Sequence, residues 1–351
     1  MPSFRTGPIT EILLERRGLQ RVRVDLGADD AERAYVLTQL TGPVAVGERV
    51  VVNTTAVELG LGTGGWHVVH WNLDRDTWSE PGPGHIMKLR YTSLQADTGA
   101  AEEDDTDPGG RELSTTLDDV GVVVCTLHSQ MGVVAAAIAD RRPDTRVAYL
   151  MSDGAALPLA LSDLVVDLVD RELIVGTITA GHAFGGDLEA VTVASGLDLA
   201  RRRLGAEVVI VGMGPGVVGT GGPLGTTAVE AAALLDTAAA LGADPVLCAR
   251  MSDGDGRERH QGLSHHVATV LELARTSVRV PLPDGADAAS ANPVPGPHRP
   301  LVVPVPDMAE VLDRFDLRIT TMGRGPADDP LFFAASAAAG VLVADDRDGH
   351  R

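Results

Sequence analysis

Short runs in which apolar and polar positions alternate fill the first 95 residues, as in RVRVDL, RAYVLTQL and RVVVNTTAVEL, with Gly, Pro and Asp turns between them. A period of two broken by such turns predicts strands and hairpins. Residues 1–95 are therefore expected to form a small β-rich domain, barrel or sandwich-like, that closes with GWHVVHWNL and GHIMKLRYT. Residues 96–118 are acidic and poor in large apolar side chains, which predicts a flexible linker.

From about Asp119 the pattern changes. The β-branched runs GVVVCTL, RVAYLM, LIVGTIT, AEVVIVGM, DPVLCARM, VRVPL and LRITTMG read as strands. Between them lie Ala- and Leu-rich helical stretches: GVVAAAIADRR, LPLALSDLVVDLVDR, LEAVTVASGLDLARRRLG, TTAVEAAALLDTAAALG, HHVATVLELAR and DPLFFAASAAAG. This alternation predicts βαβ units, hence an α/β fold class: a doubly wound, mostly parallel, Rossmann-like sheet over residues 119–345, with the Pro-rich segment 281–306 as an excursion.

Composition narrows the function classes. With 351 residues and 44% hydrophobic content the chain can bury a large core, and its length favours two domains. A net charge of −20 argues against nucleic acid and against anionic membrane surfaces, both of which reward basic patches. The start lacks the apolar stretch of a secretory signal. The longest uncharged run, Val208 to Val229, carries seven glycines and two prolines, so it reads as a loop-bearing segment and not a membrane helix. A cytoplasmic protein is expected, with a small molecule as its partner and a homodimer as the base-rate assembly. Cys125 and Cys248 each sit inside an apolar run and form no CxxC pair, which fits reduced core thiols.

In an open α/β sheet the ligand crevice lies outside the carboxyl ends of the strands. All five histidines between residues 119 and 280 fall on connections at that edge: His128, His182, His260, His265 and His266. In AGHAFGGD, His182 and Asp187 are bracketed by glycines; the two would ligate one metal, or the carboxylate would orient the imidazole for acid/base work, unless the histidine only caps a loop. In RHQGLSHH, Ser264 stands where an N-cap belongs, so His265 and His266 occupy the first helical turn and one of them is expected to face the crevice. His260 is the natural partner of that one. The set His182, Asp187, His260, His265 and His266 has ligand types suited to Zn, Mn or Fe, although no spacing such as HExxH is present.

The loop GMGPGVVGTGGPLGTT formally matches GxGxxG through Gly214, Gly216 and Gly219, but Gly221, Gly222 and Pro223 keep it open where a dinucleotide fingerprint needs a helix. Exposed N–H groups ahead of a helix instead suit an anion. Lys88, the one lysine in the chain, would supply a point charge or an amine nucleophile to an interdomain cleft, against the alternative of codon chance on a solvated strand.

The segments NTTAVELGLGTGG, GHIMKLRYT, MSDGAALPLALSDL, GHAFGGDLEAV, GMGPGVVGTGG, RHQGLSHH and TTMGRGPADDPLFF occur in order. With them the chain resembles, from about residue 8 to 345, the bacterial family known as domain of unknown function 3866. The resemblance implies a cytoplasmic bacterial protein of the same architecture and carries over no activity. The local reading is an enzyme, a hydrolase or group transferase, acting on a small anionic and in one form phosphorylated metabolite. His182, Asp187, His128 and Lys88 would be its catalytic groups, the five glycines its anion cradle, and a divalent transition metal its cofactor. The alternative is a non-catalytic ligand-binding or regulatory protein using the same cleft.

Overall fold

The computed structural model describes residues 1–61, 64–104, 116–286 and 294–346. The chain divides into two compact units, Met1–Gly99 and Ala100–Arg351. The expected linker falls partly on residues 105–115, outside the described residues.

The first unit is a closed five-stranded barrel of β1 (Phe4–Arg16), β2 (Leu19–Val24), β3 (Glu32–Val36), β4 (Arg49–Asn53) and β5 (Trp66–Asn72), in the order β1-β2-β3-β5-β4. One-turn helices α1 (Thr38–Thr41) and α2 (Thr55–Glu58) precede and follow β4. The alternation read from sequence decides which side chains point inward: Val22 and Val24, Ala34 and Val36, and Val50 and Val52 form the barrel core with Ile9 and Val69. A ladder β6 (Met87–Lys88) to β7 (Ala96–Asp97) follows, so part of the expected linker is a paired strand. Lys88 is only 1% exposed, in place of the solvated strand position considered for it.

The second unit begins with β8 (Gly121–Cys125), α3 (His128–Arg141), β9 (Val147–Ser152), α4 (Asp163–Asp170), β10 (Gly176–Ala180), β11 (Leu188–Ala190) and α5 (Val193–Arg202). It continues with β12 (Val208–Met213), α6 (Glu230–Ala240), β13 (Val246–Cys248), β14 (Met251–Ser252), β15 (Gly262–Leu263) and α7 (His265–Leu273). Last come β16 (Arg279–Pro283), β17 (Arg299–Val303), α8 (Met308–Arg314) and α9 (Pro330–Asp346). Eight of these strands make one sheet in the order β11-β10-β9-β12-β8-β13-β16-β17, and every pairing in it is parallel. Central strands β9 and β12 are buried at every residue, as strands covered on both faces must be.

Two hydrophobic cores lie on the two faces. Val123, Cys125 and Ile210 turn towards α3, α4, α8 and α9. Val122, Val124, Val209 and Val211 turn towards α5, α6 and α7. The connection from β8 crosses to β9 on one face while that from β12 crosses to β13 on the other, which puts the topological switch point at the carboxyl ends of β8 and β12. Cys125 and Cys248 are both free and buried, directly opposite each other on β8 and β13.

Three local expectations change. Residues 188–190 pair with β10 as edge strand β11, and helix α5 starts only after Thr192, whose side chain caps the Ser195 amide; LEA joins the sheet because an unpaired edge of β10 lies beside it. The segment LRITTMG forms no strand beyond an isolated Thr321–Arg324 bridge. The two ends of the Pro-rich excursion are sheet strands, β16 and β17, while residues 287–293 lie outside the described residues. No helix among the described residues is long and apolar enough to cross a membrane.

Candidate metal centre at the carboxyl edge of the sheet

β13 ends after three residues because the chain leaves the sheet at Ala249, and Met251 and Ser252 pair instead with Leu263 and Gly262 in the antiparallel ribbon β14-β15. The Ser264 amide donates to the Arg250 carbonyl at 3.0 Å, closing that ribbon directly onto the start of α7. Ser264 is the N-cap: its Oγ accepts from the His266 amide at 3.3 Å and also lies 2.8 Å from His260 Nδ1. One hydroxyl therefore fixes both the helix start and the ring of His260.

His260, His265 and His266 converge. Each offers a ring nitrogen, and these atoms lie within 4.8 Å of one another. Ring centroids are 5.0 Å apart for His260 and His265, 5.0 Å for His260 and His266, and 4.3 Å for His265 and His266. The expected division of labour between the two adjacent histidines is thus replaced by a triangle, because His260 approaches across the pair. Among the described residues, His265 Nε2 and both nitrogens of His266 are buried without a hydrogen-bond partner. Burying such groups unpaired is costly, of order 1–3 kcal/mol each, so three of them in one place call for a partner.

The imidazoles are held neutral. Burial is the largest cause and the charges of Arg250 and Arg257 add to it, taking His260 down to about 3 and His266, which also feels its neighbour His265, down to about 4. His265 is lowered for the same first reason, with Arg259 next. Neutral imidazole is the form that ligates a metal.

A knot of buried charge holds the turn that carries His260. Asp255 Oδ2 accepts from Arg250 at 3.0 Å, Arg257 at 2.7 Å and Arg324 at 3.4 Å. Those guanidinium groups, the directly bonded Arg257 above all, hold its carboxyl well below the usual range. The Asp255 amide donates to Ser252 Oγ, which donates to Asp329 Oδ2, itself paired with Arg324 at 3.0 Å. Arg250 is 5% exposed, burial lowers it to about 10, and its Nε has no partner among the described residues. The sequence pattern marked the histidines at this edge but not Arg250, Asp255 or Asp329. The DGDGRERH run was a signal, but charge density there reads equally as a solvated turn. A cleft of about 430 Å³ opens on the same ribbon, walled by Ser252, Asp253, Gln261, Gly262 and Leu331 among others.

The other sequence candidates are placed elsewhere. His128 stands in the first turn of α3 with both nitrogens engaged: Nδ1 faces the Met213 carbonyl at 3.3 Å, and Nε2 lies 2.7 Å from Ser162 Oγ. Burial lowers it to about 4. Because that lies below the unfolded value of about 6.5, its contribution to stability is complete above pH 6.5 and is lost as pH falls towards 4. In denaturant titrations from pH 7.5 to 4.5, His128→Gln is expected to flatten the slope of stability against pH by up to about 1.4 kcal/mol per unit, the worth of one proton. An unchanged slope would show that His128 does not titrate in this way.

His182 follows the carboxyl end of β10, where its amide donates to Asp153 Oδ2 at 2.9 Å. Asp187 does not share that position. The chain folds back so that β11 runs beside β10, and Asp187 Oδ2 accepts from the amide and hydroxyl of Thr177 at the start of β10, at 2.9 and 2.8 Å. Thr177 lies near the start of β10 and His182 beyond its end, so the Asp187 carboxylate and the His182 backbone are held at opposite ends of the strand.

Of the glycines, a Cβ on Gly214 would lie 2.6 Å from the Ala156 carbonyl oxygen, so glycine there serves close packing. Gly216 and Gly221 face open space, and a Cβ on Gly222 would meet only Thr220 Oγ1, at 3.8 Å. Gly219 is the one that reaches the histidines, since its Cβ would stand 3.4 Å from His266 Cε1. The helix end behind the loop already has an anion of its own: Thr226 caps the Ala228 amide, and Glu230, in the first turn of α6, bonds Ser152 Oγ at 3.0 Å. Lys88 belongs to the first unit.

A family model described as protein of unknown function (DUF3866) matches residues 33–340. The chain belongs to this family. No curated protein and no solved structure matches it. Within the family match fall both the barrel strands from β3 onward and the whole histidine cluster, so the centre is part of the family region of the chain.

Proposed function

We propose that the chain is a metal-dependent hydrolase or group transferase acting on a small anionic metabolite, with His260, His265 and His266 holding one divalent transition metal. The observation that carries this reading is the convergence of three neutral imidazoles with three buried ring nitrogens that lack partners. Three protein ligands leave a position open, which is the stoichiometry of catalytic and not of structural zinc. A metal bound there would lower the pKa of its water and polarise a substrate oxygen.

Metal–nitrogen bonds of about 2.0–2.1 Å imply nitrogens roughly 3.3 Å apart in a tetrahedral site. The three nitrogens already lie within 4.8 Å of one another, so small rotations of the rings would bring them to that spacing. Charge argues for the anion. Arg250 and Arg257 act on all three imidazoles, and a divalent cation would add two positive charges beside them. Gly219 would give the ligand access beside His266.

The test uses the full chain purified without an affinity tag, loaded with Zn, Mn or Co and offered a panel of anionic esters and anhydrides. Turnover that a chelator abolishes and metal restores is expected. Metal and anion binding with no turnover on the panel would overturn the enzyme reading in favour of a ligand sensor.

A further inference from the structure

The charged knot beside the histidines contains a group that the fold leaves unused. Arg250 is 5% exposed; its Nη2 is committed to Asp255, yet its Nε–H has no acceptor among the described residues. A guanidinium buried with a donor unsatisfied is costly unless a ligand supplies the oxygen. Its position suits that role. The Arg250 carbonyl accepts from Ser264, the residue that also orients His260 and caps the helix bearing His265 and His266. Asp255 holds the guanidinium from one side, so the group is pre-positioned and loses little freedom on binding.

We propose that Arg250 is the anion-binding residue of the metal centre, and that the two together select a tetrahedral dianion of the phosphoryl class, one oxygen on the metal and another on Arg250 Nε–H. This rests on the metal reading above. A dianion fits better than a carboxylate for two reasons. It carries oxygens beyond the two that a carboxylate would divide between metal and guanidinium, and its two negative charges match the two that a divalent metal adds beside the Arg250–Asp255 pair.

The experiment titrates inorganic phosphate into the Co-loaded full chain by calorimetry, for the wild type and Arg250→Lys, with acetate as the monoanionic control and Co affinity measured in parallel. Lysine keeps the charge and removes the planar Nε–H. Saturable phosphate binding that weakens at least tenfold in Arg250→Lys, with Co affinity within twofold of wild type and acetate weak in both, is expected. Equal phosphate affinity in the two proteins, equal affinity for acetate and phosphate, or no phosphate binding to the wild type would each overturn the proposal. Failure of Co to bind the wild type would sink the metal reading alone. Phosphate titrated into the metal-free proteins would then decide the Arg250 contact, supported by loss in the variant and overturned by no loss. Should Arg250→Lys not fold, the arginine Nε–H resonances of the Co-free, Zn-loaded wild type take its place. One slowly exchanging signal that shifts on adding phosphate supports the contact, and none overturns it.

Discussion

His266→Ala is expected to abolish metal binding, weakening affinity by more than about 100-fold, since loss even of groups that merely support a ligand costs about 10–100-fold. The variant also separates a ligand from a core histidine by sign. In the metal-free protein both ring nitrogens of His266 are buried without partners, so removing the ring removes a penalty along with some packing. Metal-free His266→Ala should therefore unfold near the wild-type midpoint or above it. With metal at a thousand times its Kd the wild type should gain about 4 kcal/mol and the variant nothing. Elemental analysis and thermal unfolding with and without metal read both effects. A variant that unfolds well below the metal-free wild type, and gains as much from metal, would mark His266 as ordinary core.

What the sequence made legible was local. Continuous β-branched runs separated by Ala-rich stretches declare buried parallel strands, and β8, β9, β10 and β12 stand where those runs lie. Ser264 announced itself as a cap because a short polar residue before an apolar period has few other uses. His260, His265 and His266 could be grouped because four and five residues separate the first from the others on one connection. Less legible was anything set by chain return. Asp187 lies five residues from His182 in sequence, yet the edge of β10 attracts β11 and carries the carboxylate to the opposite end of the strand. Parallel pairing of β3 with β5 joins strands that are not consecutive in the chain, with β4 between them, so no hairpin turn announces it. Burial of charge was least legible of all. DGDGRERH has the composition of a solvated turn, and only three dimensions show that Asp255 is 2% exposed among three guanidinium groups. Lys88 teaches the same lesson, since a single ammonium at 1% exposure cannot be told by composition from one on a surface strand.

Asp255→Asn is expected to be the most destabilising single change at this edge, costing about 3–5 kcal/mol at pH 7, because it leaves buried Arg250 without its counter-charge. An amide oxygen can still accept hydrogen bonds, but the amide offers neither the charge nor the second acceptor oxygen that now serve Arg250, Arg257 and Arg324. The dependence on pH tests the cause. The folded carboxyl is held well below its unfolded value near 3.9, so its stabilisation is present above about pH 4 and is lost as pH falls through the folded value. Wild type and variant should accordingly differ by several kcal/mol in urea titrations at pH 7 and draw together below about pH 3. A gap under about 1 kcal/mol at pH 7 would show that solvent screens the network as it does a surface pair. The same substitution should loosen the turn that carries His260, whose ring depends on the Ser264 hydroxyl and on the backbone that Asp255 and Ser252 fix. Metal affinity should then fall in Asp255→Asn even at temperatures where it stays folded, although Asp255 is no ligand. Stability and metal binding at this edge would share one buried carboxylate.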